Sequence, residues 1–247
     1  MRRSPRFAAT ASSKPGPASV ERLEAPAADL PAVRGFLHGP ASPGGDGLVL
    51  THGAGGNCRS PILLDLAGAF AGAGLVVLRC DLPYRQARAQ GPPAPAGAER
   101  DRQGLRHAVR IVRGLVSGRV FLGGVSYGGR QASMLAAAEP GLVAGLLLLS
   151  YPLHPPAQPH RLRTEHFPNS RVPALFVHGS RDPFGTLPEL EAARALMAAR
   201  TELLVVKGGH DLGYSGQAGA ESQLPARVVV AFQALSAFSG GPGPSLR

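Results

Sequence analysis

The chain has 247 residues, 44% of them hydrophobic, and a formal charge of +10 from 26 Lys and Arg against 16 Asp and Glu. That length suits a single α/β unit with a sizeable core, and with no Trp the core must be built from Leu, Val and Ala. The positive charge is almost entirely arginine, since Lys14 and Lys207 are the only lysines, and no segment interleaves basic with aromatic residues, so nucleic acid is not expected as a partner.

Residues 1–19 are Arg, Ser, Pro and Ala without periodicity and are expected to form a disordered tail, with no apolar stretch of signal-peptide length after the basic start. Ala32-Val33-Arg34-Gly35-Phe36-Leu37 suggests an antiparallel edge strand. Strands of continuous apolar character follow at 47–51, 75–78, 120–123, 146–149, 174–177 and 203–206, the pattern of strands buried on both faces. Helical patterns fill the gaps. Ser60-Pro61 opens one with Leu63, Leu66, Ala67 and Phe70 on one face. The segment 99–117 places Leu105, Val109, Val112 and Val116 on one face and Arg102, Arg106, Arg110 and Arg113 on another, read as a solvated outer surface. Residues 131–136 are helix-forming and Pro140-Gly141 stops them; Thr186-Leu187-Pro188-Glu189 is a capping box; Val228, Phe232 and Leu235 mark the final helix. Asp81 to Arg100 and Tyr151 to Pro173 look irregular, are Pro-rich and follow strands, which places them at the carboxyl edge where open α/β sheets bind ligands.

Alternating strands and helices predict an α/β fold, a mostly parallel central sheet with helices on both faces, over residues 20–239, and a flexible tail over 240–247. The two cysteines, Cys58 and Cys80, read as reduced apolar residues rather than a disulfide framework. The run Leu146–Leu149 is too short to cross a bilayer, so no membrane association is expected and a cytoplasmic location is.

Gly124-Val125-Ser126-Tyr127-Gly128-Gly129 follows the strand at 120–123 and precedes a helix, the strand–turn–helix context of a nucleophile elbow, with Ser126 at its tip. A serine hydroxyl needs a base and a group to orient that base. In the chain order Ser, acid, His, each on a loop after a strand, Asp182 follows the strand at 174–177 and His210 follows the strand at 203–206, with spacings of 56 and 28 residues. Asp182 is therefore the candidate orienter and His210 the candidate base. Asp211 neighbours the imidazole in sequence and should point away from it, Glu189 is better used in capping, and His178 should bond locally. His52-Gly53-Ala54-Gly55-Gly56 ends the strand at 47–51, where the N–H of Ala54 would join that of Tyr127 as an oxyanion hole. It lacks the endings of a P-loop and the spacing of a dinucleotide site, so no cofactor is expected.

Five blocks, His52–Gly56, Gly124–Arg130, Tyr151–Pro156, Arg163–Pro168 and His178–Gly185, together resemble an α/β-hydrolase family related to dienelactone hydrolases that includes the testis-expressed and NSL-complex hydrolase-like proteins. The likeness covers roughly residues 45–238 and implies a hydrolase core with little or no cap domain, the triad falling on Ser126, Asp182 and His210. Tyr127 stands where relatives often carry Met, and the blocks at 151–156 and 164–168 are expected to shape a wall over the site. The expected activity is hydrolysis of a small or medium ester, a small-molecule acyl substrate, through a serine acyl-enzyme. A non-catalytic interaction module using the arginine stripe, and an acyltransferase using the same residues, are the alternatives.

Overall fold

The computed structural model of the chain describes residues 18–214 and 223–237. The expected C-terminal tail and residues 1–17 of the expected N-terminal tail lie outside these. Eight strands form one sheet: β1 (Ser19–Ala25), β2 (Val33–Gly39), β3 (Gly47–Thr51), β4 (Val76–Asp81), β5 (Val120–Val125), β6 (Leu146–Leu149), β7 (Ala174–Gly179) and β8 (Thr201–Val206). Their spatial order is β1-β2-β4-β3-β5-β6-β7-β8. The pairs β1–β2 and β2–β4 are antiparallel and every other pair is parallel. Strand β1 has no apolar run, because most of its side chains are exposed, and the sequence reading did not single it out.

Every residue of β3, β6 and β7 is buried, as their unbroken apolar character requires. Alternate residues serve opposite faces. Leu48, Leu50, Leu147, Leu149, Leu175 and Val177 pack against α1 (Pro61–Gly72) and α6 (Leu224–Ala237). Val49, Leu122, Leu146, Leu148 and Phe176 pack against α3 (Ala98–Leu115), α4 (Tyr127–Ala138) and α5 (Leu187–Arg194). Phe232 of α6 meets Phe70 and Phe121 edge-on, with ring centroids 5.5 and 5.0 Å apart.

Three details differ from the sequence expectation. The arginine stripe of α3 is not simply a solvated face: Arg102 donates to Gln131 Oε1 at 2.8 Å, Arg106 pairs with Glu139, and Arg113 donates to Leu142 O at 2.9 Å. A long guanidinium stem spans the groove between adjacent helices and ties α3 to α4 and the turn beyond it. The segment after β4 contains a short helix, α2 (Pro83–Ala87), too brief to show periodicity in sequence. It starts at a proline, and Tyr84 N–H donates to Asp101 Oδ1 at 3.0 Å, a cap supplied from α3. Ser60 does hold the N-cap position of α1, but its hydroxyl donates to Asn57 O at 2.8 Å instead of capping the helix. The box at Thr186 and Glu189 forms as expected.

Among the described residues no connection between strands contains an inserted domain; the one after β6 carries a single 3-10 turn, Phe167–Asn169. That connection is fastened to α4 by His166, whose Nε2 lies 2.8 Å from the Ser133 hydroxyl, itself donating to Arg130 O. Among the described residues no helix is long and apolar enough to cross a membrane.

Two measurements follow from this packing. Phe232→Ala should lose about 3–5 kcal/mol of stability, read from the urea midpoint, because a three-ring cluster would be left with a cavity; an unchanged midpoint would refute the packing described. Burial, with Arg130 beside it, holds the His166 pKa down to about 4. Between pH 6.5 and about 4 the unfolded chain binds a proton that the folded chain refuses, so stability must fall as pH drops through that window. His38, buried beside Arg79 and also held at about 4, acts in the same direction. Replacing His166 by Gln should remove on the order of 2 kcal/mol of that acid sensitivity. Identical pH slopes for the two proteins would rule this out.

Candidate active site

Strand β5 ends at Val125 and α4 begins at Tyr127, so Ser126 alone makes the turn. Its φ of 50° and ψ of −115° lie where L-residues are rarely found, a conformation costing of order 1–3 kcal/mol. Ser126 N–H donates to Leu149 O at 2.8 Å and Ser126 O accepts from Arg130 N at 2.9 Å, which fixes the turn from both sides. A Cβ on Gly124 would stand 2.8 Å from Gly128 C, and one on Gly128 would overlap His52 O. Only glycine permits the β3 loop, the β5 end and the α4 start to touch here.

The parallel register carries all the relevant loops to one sheet edge. Thr51 of β3 pairs with Gly124 of β5, so the loop beginning at His52 emerges beside the turn at Ser126. Gly179 of β7 pairs with Val206 of β8. Strands spaced about 4.8 Å apart would leave the end of β8 roughly 14 Å from that of β5. The β8 loop closes the gap by folding back across β7: Ser180 N–H donates to Val206 O at 2.8 Å and Arg181 N–H to Gly208 O at 2.9 Å. A Cβ on Gly179 would overlap Gly209 O, so this crossing also requires glycine.

The result brings together Ser126, Asp182 and His210, three residues expected from sequence to act together. His210 Nδ1 lies 2.8 Å from Asp182 Oδ2 and 3.0 Å from Oδ1, and its Nε2 lies 2.8 Å from Ser126 Oγ. A carboxylate only accepts, so Nδ1 carries the proton and the lone pair of Nε2 faces the serine hydroxyl. The Asp182 side chain is fully buried and its Oδ1 also accepts Phe184 N–H at 2.8 Å. The Phe184 ring lies over the imidazole, centroids 4.2 Å apart. The rejected acids stay outside this chain of bonds. Asp211 Oδ1 accepts Gly213 N–H, and Glu189 closes the capping box and reaches His154. His178 bonds locally, its Nε2 donating to Gly185 O at 2.8 Å.

Ala54 and Tyr127 border the same cavity as Ser126. Tyr127 is the first residue of α4, so its N–H has no acceptor within the helix. The loop carrying Ala54 is held by residues that sequence reasoning missed. Tyr84 Oη donates near Gly53 O and Ala54 O, at 3.1 and 2.9 Å. Arg85 spans from Gly56 O and Ala54 O, at 2.8 and 2.9 Å, to Ala89 O at 2.7 Å. His52 accepts Leu82 N–H at Nε2, so its Nδ1 carries the proton and donates to Gly53 O at 2.8 Å. Burial lowers the His52 pKa and keeps the ring neutral, so its 3.5 Å approach to Asp81 is not an ion pair. Because a trans peptide points its C=O and the next N–H in opposite directions, anchoring Gly53 O turns Ala54 N–H away from these donors. One arginine among many gave no signal in the sequence; only the fold reveals that Arg85 is buried among carbonyls.

Tyr127 does more than narrow the site. Its hydroxyl donates to Asp101 Oδ2 at 2.8 Å, and its ring meets Tyr84 edge-on at 5.8 Å. Asp101, fully buried, thus joins the α2 start, the α4 start and α3. The cavity at this edge measures about 1200 Å³. Pro92, Pro93 and Pro95 of the Pro-rich segment border it, as do Pro152 and Arg163 from the connection after β6. Beneath that wall Tyr151 is fully buried and its hydroxyl donates to Arg163 O at 2.7 Å.

Comparison with known proteins agrees with this architecture. A family model described as an alpha/beta hydrolase domain matches residues 45–238. The Pyrococcus furiosus esterase Pf2001 superposes with a TM-score of 0.71 at 14% identity, over 94% of this chain and 97% of that one. A dienelactone hydrolase from Anabaena variabilis gives 0.62 at 20% identity, over 89% and 96%. An alpha-beta serine hydrolase homologue from Coxiella burnetii gives 0.64 at 18% identity, over 88% and 96%. At such identities the shared property is the fold. With a family model spanning most of its length and an eight-stranded sheet of this order, the chain belongs to the α/β-hydrolase domain family, whose fold it shares with a dienelactone hydrolase.

Proposed function

We propose that this hydrolase-family chain cleaves esters of small or medium acyl groups through an acyl-enzyme on Ser126. The observation that carries the reading is His210, placed at 2.8 Å from both Ser126 Oγ and Asp182 Oδ2. His210 Nε2 takes the hydroxyl proton as Ser126 Oγ bonds to the ester carbonyl carbon. The carbonyl π pair moves to oxygen, where the N–H groups of Ala54 and Tyr127 receive it, aided by the positive end of the α4 dipole. Collapse breaks the bond to the leaving oxygen, which takes the proton from His210. Water then repeats the sequence on the acyl-enzyme, releasing the acid and restoring Ser126. Asp182 holds the imidazole tautomer and stabilises its protonated form, and its burial, with the Phe184 ring over the imidazole, keeps competing water from that bond.

The cavity, at about 1200 Å³, favours the larger end of this range of acyl groups. Engagement of three of the four arginines in the α3 stripe with α4 and its following turn argues against their forming a free contact surface, and so against the scaffold alternative.

A panel of p-nitrophenyl esters tests the reading. Wild type should turn over at least one of them, and Ser126→Ala should lower kcat by roughly 10⁴-fold or more. Asp182→Asn should cost about 10⁴-fold through the wrong imidazole tautomer. A fluorophosphonate should label the wild type at Ser126. Equal rates for wild type and Ser126→Ala would end the proposal.

A further inference from the structure

The wall of the cavity beyond Ser126 is rich in donors and short of acceptors. Tyr127, Arg130, Gln131 and Met134 lie at i, i+3, i+4 and i+7 of α4 and all border the cavity. Arg102 of α3 and Arg163 of the connection after β6 border it too. Among the described residues neither Arg130 nor Arg163 has a carboxylate within ion-pair distance, and Arg130 Nε is buried with no hydrogen-bond partner. Arg163 spends one donor on Pro152 O, at 3.3 Å. Gln131 is fully buried; its Oε1 accepts from Arg102 Nη1 at 2.8 Å, which fixes the amide orientation, and its Nε2 has no partner.

The acids around this wall do not neutralise it. Asp211, the one carboxylate of the lining, has Oδ1 occupied by Gly213 N–H. Glu99 is bound to Arg102. Glu165, on the Arg163 segment, is exposed and outside ion-pair distance of both orphaned arginines. His166 is kept neutral, in part by Arg130 itself. Burial and the neighbouring Arg130 charge lower the Arg163 pKa, and the pull of Glu165 in the other direction does not reverse this. Two guanidinium groups and an amide NH₂ without a protein partner border the same cavity, a donor set that calls for a group that only accepts, and a carboxylate is the planar match for a guanidinium fork.

From this donor set we infer that the preferred substrate is an ester whose acyl chain ends in a carboxylate, seated between Arg130 and Arg163 and bonded by Gln131. The inference rests on the hydrolase reading above for its direction. The leaving oxygen must face His210 to be protonated, so the acyl chain runs the other way, along α4. Arg130 lies one helical turn beyond Ser126, about 5–6 Å along the axis, which a chain of about three or four methylenes spans. The anion adds no chemical step; it fixes the chain so that the carbonyl stays at Ser126.

Hydrolysis of mono-p-nitrophenyl glutarate should be compared with that of its methyl ester, for wild type, Arg130→Gln and Arg130→Lys. Wild type should prefer the free acid by about 10- to 100-fold in kcat/KM, mostly through KM, and lose part of the preference in about 0.5 M salt. Arg130→Gln should bring the ratio close to one, and Arg130→Lys, which keeps the charge but loses the fork, should keep only part of it. In parallel, calorimetric titration of monomethyl and dimethyl glutarate into Ser126→Ala reads binding without turnover. Ester turnover with no preference in either measurement overturns the carboxylate site and leaves the hydrolase reading standing. No turnover but selective, Arg130-dependent binding of monomethyl glutarate upholds the site and removes the hydrolase reading. Neither turnover nor selective binding removes both.

Discussion

Ser126 holds a backbone conformation with φ of 50°, a state that an isolated serine would leave at once, and the arrangement around it exists only because neighbouring elements prevent that relaxation. Its amide is consumed by Leu149 O on β6, and its carbonyl by the first full turn of α4. Gly124 and Gly128 remove the two Cβ atoms that would push the turn apart. Strain of this size is tolerable because β5 lies at the centre of the sheet, with buried residues on both faces, so the local cost is spread over a large cooperative core. The gain is position: a hydroxyl raised above the sheet edge, with a helix N-terminus directly beneath it.

Around that fixed point the remaining groups are brought in by loops that cross between strands. His210 lies on the loop after β8, a strand three places away, and reaches Ser126 because Gly208 and Gly209 lie over the end of β7 at Gly179. Asp182 rises from β7 itself and lies fully buried under that crossing. Burial strengthens the carboxylate–imidazole bond by excluding water, while the Phe184 amide satisfies a remaining lone pair of Asp182. The loop at His52–Gly56 is set by opposite logic: its carbonyls, not its amides, are captured, by Tyr84, Arg85 and neutral His52. Asp101 links these supports to Tyr127, so the two loops flanking the cavity are referenced to the same buried carboxyl group.

Electrostatically the cavity is uneven. The side nearest β8 holds a satisfied relay of imidazole and carboxylate, whereas the side formed by α3, α4 and the connection after β6 presents guanidinium and amide donors, several of them unmatched. Formal charge counted along the chain conceals this division. Most of the α3 arginines bind residues of α4 or the turn after it, whereas Arg130 of α4 and Arg163 of the connection after β6 border the cavity without a carboxylate partner among the described residues.

The sequence by itself determined the strand–helix alternation, the two-faced burial of the central strands, and the candidates Ser126, Asp182 and His210. Each of these rests on a local signal: an apolar run of strand length, a glycine-bracketed serine between strand and helix, an acid and a histidine just past strand ends. It was silent on β1, whose exposed side chains carry no periodicity, and on α2, which is capped at Tyr84 by a carboxylate 17 residues away in sequence, Asp101. It misread the arginine stripe, because whether a guanidinium meets solvent or a neighbouring helix is decided by what packs beside it. Arg85, Tyr84 and the unmatched donors on Arg130 and Gln131 were likewise invisible. Local patterns encode which backbone a segment adopts. Only the folded chain decides which polar groups find partners and which are left facing the cavity, since those partners come from distant segments that share nothing but a sheet edge.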